Sequence, residues 1–219
     1  MSTATLFTRA AQRLGIASAV ATVALNTLYV CVLIAGLRSL PSPAEPIGDP
    51  YFTVLEILIL VMMPALVTLM VAVHAFAATG VRALSHAALV FMSLMAVLTG
   101  GLHFVILTVR RAPDFAQSPW TPMLFTFRWP SVPYAIDILA WDVFFALAVL
   151  FAAPVFGTSR LGRAIRALLI ASGVLALAGV AGGVTGDMQV RNIGIVGYAG
   201  LFPIAAALIA IEFRRTPSA

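Results

Sequence analysis

The chain has 219 residues, of which 62% are hydrophobic and 10% charged, with a mean hydropathy of +1.06. Soluble domains run near half apolar and a quarter charged, so a water-soluble fold is excluded, and six spans of about 20 residues leave no room here for a separate soluble domain. The net charge of +5 comes from 13 arginines scattered at segment ends without a basic run, which excludes a nucleic-acid surface and leaves the charge as a topological signal.

The first apolar run, 16–37, is too long for the core of a signal peptide and no small-residue cleavage site follows it, so it is expected to persist as the first membrane helix. Within it lies Cys31, the only cysteine, which can form neither an internal disulfide nor a cysteine metal cluster. Pro41, Pro43, Pro46 and Pro50 make the next stretch an extended loop. A second helix is expected over 52–78, where Pro64 should free the carbonyl of Leu60 and bend the chain. A third covers 84–109 and stops at Arg110 and Arg111. The connection 112–133 mixes Trp120, Phe125, Phe127 and Trp129 with five prolines, a composition that settles at the headgroup level, so it is expected to lie on the membrane surface. Helices four to six follow over 134–156, 164–185 and 193–213, the last containing Pro203, with short connections that make them antiparallel neighbours. The expected fold is all-α: a single polytopic membrane domain, 1–219, built as a bundle of six transmembrane helices.

Arginine placement sets the expected orientation. Arg9, Arg13, Arg82, Arg160, Arg163, Arg166, Arg214 and Arg215 flank one side of the ladder. Arg38, Arg110, Arg111, Arg128 and Arg191 flank the other, which also carries seven of the eight acidic residues. Both termini are therefore expected in the cytoplasm, the protein being integral to the cytoplasmic (inner) membrane of a bacterium.

Counting depth at about 1.5 Å per residue sorts side chains by leaflet before any packing is known. Glu56, His103, Asp137 and Asp142 fall in the outer half of helices two, three and four. Trp141 follows Asp137 by one turn, and Asp187, Arg191 and Asn192 occupy the turn between helices five and six. A charge in hydrocarbon costs roughly 2.5–3.5 kcal/mol, so these eight residues are the expected ligand-binding set. Asp142, about two turns deep, is too short to reach headgroup water and is expected to have an internal partner. The plain alternative has Glu56 and Asp137 reaching headgroup water and Asp187 pairing with Arg191 across the turn.

No catalytic motif is found, which leaves the catalytic residues unassigned, and no metal site is expected. His103 lacks a partner at metal-ligand spacing and suits a hydrogen bond to a carboxylate instead. His74 lies at the opposite end, about half a bilayer away, so the two histidines cannot share a haem, and no cofactor is expected. Ser93 and Ser172 lack a base at their depth and should bond carbonyls of their own helices. Gly179, Gly182, Gly183 and Gly186 make a small face on helix five, facing Gly194, Gly197 and Gly200, which suits close helix approach. An offset of 82 relates Gly80, Gly100 and Gly101 to Gly162, Gly182 and Gly183, a weak sign of a repeat.

The leading expectation is a protein that binds or transports a small or lipid-like molecule through an outward-facing intramembrane polar pocket. Competing with it are a proton- or cation-coupled carrier, an intramembrane enzyme, and an accessory subunit of a membrane complex. Membrane lipids are expected partners, a second copy of the chain is an allowed one, and nucleic acid is not.

Overall fold

The structure, a computed structural model, describes residues 7–42, 45–116, 118–157 and 159–217, and these contain helices and no strand. Six long helices dominate: α1 (Arg9–Arg38), α2 (Tyr51–Phe76), α3 (Thr79–Arg111), α4 (Val132–Val155), α5 (Arg160–Thr185) and α6 (Met188–Arg215). Each is long and apolar enough to cross a membrane. Several begin earlier than hydropathy alone places them, because caps rather than apolar runs set helix starts. Thr8 accepts from the Ala11 amide before α1, Ser159 from the Gly162 amide before α5, and Asp187 from the Gln189 amide before α6.

Every helix packs on the next in sequence, and α1 closes the ring against the Phe202–Arg215 segment of α6. That closure is tight. A Cβ on Gly15 would lie 2.6 Å from the Phe213 ring, and the Gln12 amide donates to the carbonyls of Phe213 and Thr216 at 2.7 Å each. Met62, Met63, Leu66, Met92, Met95, Phe145 and Phe202 fill the middle. Adaptable methionines here are core, packing where ring, aromatic and aliphatic surfaces meet. Ser93 bonds its own helix at the Leu89 carbonyl as expected, but Ser172 does not. It donates across to Gly197 of α6 at 2.9 Å, because the glycine faces bring the two helices close enough for its short side chain to reach.

Two helices widen locally into π-helical turns, Leu139–Phe145 in α4 and Val196–Leu201 in α6. In α6 the wide turn ends just before Pro203, whose missing amide hydrogen removes one α-helical bond and lets the turn relax. Pro64, by contrast, sits inside a continuous α2.

The α1–α2, α3–α4 and α5–α6 connections share one end of the bundle, called here the loop end. Asp49 accepts the Thr53 amide hydrogen at 3.1 Å and the Thr53 hydroxyl, which in turn accepts from Arg111; Arg111 also approaches the Asp49 carboxylate at 3.3 Å. The Thr53 hydroxyl is the main reason the Asp49 carboxyl sits below its usual range; burial opposes it, and the Thr53 amide, Arg111 and Arg110 add to it. A carboxyl lowered by folding contributes stability above its unfolded value, about 3.9, and loses it as pH falls through the folded value. Asp49 is largely exposed, so the contribution is screened to about 0.2–1 kcal/mol. Asp49→Asn should therefore lower the melting temperature slightly at pH 7 and not at all at pH 2.5, measured by thermal unfolding in nanodiscs; an equal loss at both would disprove the assignment.

Candidate functional site

Beneath the loop end, five ionisable side chains from four helices form one continuous chain. Glu56 Oε2 of α2 and His103 Nδ1 of α3 share a hydrogen bond of 2.9 Å. His103 Nε2 faces Asp137 Oδ1 of α4 at 3.9 Å, beyond hydrogen-bond reach. Asp137 Oδ2 accepts from Arg191 Nη2 of α6 at 2.7 Å, and Arg191 Nε lies 3.4 Å from Asp142 Oδ2. Glu56, His103 and Arg191 are buried, and Asp142 has no exposed surface at all. Asp137 alone keeps some exposure, 14% of its side chain.

Charge does not balance along this chain. Three carboxylates face one guanidinium and one imidazole, so a negative charge is in excess even with His103 protonated. The imbalance falls on Asp142. Neither of its carboxylate oxygens makes a hydrogen bond, since the Arg191 Nε contact is an ion pair without hydrogen-bond geometry. A buried carboxylate in that condition carries most of its desolvation cost uncompensated.

Sequence depth brings together Glu56, His103, Asp137, Asp142 and Arg191, and the structure joins all five. It does not join the rest. Asp187 is an exposed cap of α6 and leaves Arg191 free to turn inward, and Asn192 is exposed, donating to the Gln189 side chain at 3.1 Å. Trp141 lies one layer deeper. Its ring packs on Tyr198 at 5.0 Å and Phe145 at 5.7 Å, and Phe145 meets Phe202 edge-on at 5.0 Å. This aromatic layer, set on the two π-helical turns, closes the cluster toward the terminal end.

Four contributors escape a reading by depth and polarity. Tyr134 donates no charge, yet its ring carries the Arg191 guanidinium at 4.6 Å and its hydroxyl accepts from Nη1 at 3.3 Å. Phe127 comes from the α3–α4 connection and stacks on His103 at 4.9 Å, so that connection caps the site. Tyr29 of α1 comes near enough to interact electrostatically with Asp137, Glu56 and Arg191. The fourth is a glycine seat. A Cβ on Gly194 would collide with Asp142 Oδ1, one on Gly179 would lie 3.0 Å from the same atom, and one on Gly182 would lie 2.5 Å from the Arg191 amide nitrogen. Thus α5 supplies no charge but holds Arg191 and Asp142 together. Gly101 meets nothing within 4 Å and Gly100 only Met63 at 3.9 Å, so the glycines at offset 82 are not packed alike.

A cavity of about 170 Å³ opens at the loop end among Ile47, Asp49, Phe52, Ile106, Arg110 and Arg111. Phe52 precedes Glu56 by one turn and Ile106 follows His103 by one turn, so the cavity lies directly beyond the Glu56–His103 pair.

Fold and site together define a class: a ring of six candidate membrane-spanning helices around a buried, charge-imbalanced polar chain. No family model, no curated protein and no solved structure matches the chain.

Proposed function

We propose that the protein is a membrane carrier that takes a small or lipid-like molecule at the loop end and couples its binding to a proton exchanged at the Glu56–Asp142 chain. The termini face the cytoplasm and the loop end faces outward in this reading, as the arginine bias favours. Asp142 carries the argument. A fully buried carboxylate with two unbonded oxygens and a guanidinium shared with Asp137 is stabilised either by taking a proton or by drawing Arg191 fully to itself.

Arg191 thereby acts as the element with two positions. With Asp142 neutral it belongs to Asp137, and with Asp142 charged it is divided between them. The charged and titratable groups acting on Asp142 are Asp137 of α4 and Arg191 and Tyr198 of α6, with Gly179 of α5 and Gly194 of α6 against its Oδ1; Asp137 links it onward to His103 of α3 and so to Glu56 of α2, with Tyr29 of α1 near Asp137. The loop-end cavity lies next to Glu56 and His103, and the aromatic layer lies beyond them on the other side. Such one-sided access with a titratable switch is what alternating exchange requires. Local π turns, frequent at functional sites, lie beside both Asp142 and Tyr198.

The test is charge movement on a pH jump. Protein in a planar supported membrane should give a transient current as pH steps from 8 to 5, and Asp142→Asn should abolish it while keeping the parent melting behaviour. A parent protein without that current, or an unaltered current in Asp142→Asn, would remove the proton from the mechanism and leave the cluster an assembly feature.

A further inference from the structure

We infer that the carried molecule is a lipophilic organic monocation, and that it enters sideways between α1 and the loop-end half of α6; the inference rests on the proton-coupled reading above. On α1, Gly15, Ser18, Ala19 and Thr22 are buried against the bundle, and from 23 to 35 none of its residues is buried until Gly36 packs on Ile47 and Tyr51. Helical spacing nevertheless continues the inward stripe: Asn26 and Tyr29 lie four and seven residues beyond Thr22 on the same face. They face inward and are only half-buried. The cause is the course of α6. Its Phe202–Arg215 segment packs on α1, whereas the Met188–Ile195 helix and the Val196–Leu201 turn pack on α5 instead. Two helices packed together at one end and not at the other define the sideways path of this proposal.

Polar groups line what should otherwise be a lipid-facing cleft. At its deep end the Thr22 hydroxyl is buried without a hydrogen-bond partner. Asn26 lies one turn up, and Tyr29 then comes within electrostatic range of Tyr198, Asp137 and Glu56. Asp137, the one partly exposed carboxylate, and the aromatic faces of Tyr198 and Trp141 stand at the head of the cleft. Excess negative charge combined with aromatic faces and an apolar approach suits a cation that is itself apolar. An anionic amphiphile would meet three carboxylates. The same imbalance also explains coupling: one added positive charge, whether proton or organic cation, neutralises the chain, so each should displace the other.

The probe is tetraphenylphosphonium added to the full chain in nanodiscs, with tetraphenylborate as the matched anion, and with heat and proton release both recorded. The expected result is saturable tetraphenylphosphonium binding, release of about one proton per cation bound, and affinity falling about tenfold per pH unit on the acid side of the cluster's titration. Tetraphenylborate should neither saturate nor release protons. Asn26→Leu and Thr22→Val fill or strip the cleft without touching the ionisable chain, so each should weaken tetraphenylphosphonium binding at least tenfold while the pH-jump current persists. Equal binding of the two ions, binding without proton release, or undiminished binding in both variants would overturn the inference. With the pH-jump current intact, those results defeat only the cation and its route; a parent protein lacking the current defeats the proton reading beneath them.

Discussion

Arg191→Met is expected to be the most destabilising single change in the molecule, lowering stability by about 3–5 kcal/mol. Removing the guanidinium leaves Asp137 without its 2.7 Å donor and Asp142, which has no exposed surface, without any cation. Arg191→Lys should recover little, because an ammonium is a compact charge and this site uses three faces of a planar one: Nη2 on Asp137, Nε toward Asp142, and the plane over Tyr134. Asp142→Asn placed on Arg191→Met should restore a substantial part of the loss, since it removes the charge that the first change orphaned. Thermal unfolding of the two single variants and the double variant in nanodiscs measures this coupling. Strict additivity would mean that Arg191 and Asp142 are neighbours without an energetic bond.

Gly182→Leu should come next, through backbone rather than charge. Its Cβ would lie 2.5 Å from the Arg191 nitrogen, 2.8 Å from the Arg191 Cβ and 2.9 Å from the Arg191 Cα, so α6 must retreat for any side chain to fit. Overpacking of this kind costs about 1–3 kcal/mol, and the retreat would also draw Arg191 away from Asp137. The expected outcome is a lowered melting temperature together with loss of the pH-jump current. Gly101→Ala serves as the contrast, since nothing stands within 4 Å of its added carbon and helix propensity favours alanine by about 0.5–1 kcal/mol. It should leave both readouts at or above the parent level. If Gly182→Leu behaved like Gly101→Ala, the α5 glycines would be ordinary packing positions with no bearing on the site.

Position along the bundle axis was legible in the sequence, and position around each helix was not. A count of residues from the helix ends grouped Glu56, His103, Asp137, Asp142 and Arg191 at one level, and they do meet. The same count admitted Asp187 and Asn192, which share that level but point outward, one as a cap and one toward Gln189. Tyr29, Tyr134 and Phe127 carry no charge to mark them, and aromatic rings in an apolar chain look like lipid-facing or core residues until their neighbours are known. Glycine spacing announced that α5 and α6 come close. What it left out is that the closeness aims at Asp142 and Arg191, information held in the rotation of three helices together. The widened turns in α4 and α6 were equally silent, for Pro203 hints at one of them and nothing in 139–145 hints at the other.

The seam between Gln12 and the Phe213 and Thr216 carbonyls has a meaning for biogenesis. Of the six helices, the one made first finds its second neighbour only in the one made last, so during synthesis α1 is held by α2 alone while four further helices emerge. A bundle fastened in this way is complete only when its final segment arrives, and until then the carboxylates at its centre lack the arginine that α6 delivers. Completion of the ring and delivery of the core's one arginine are thus the same event.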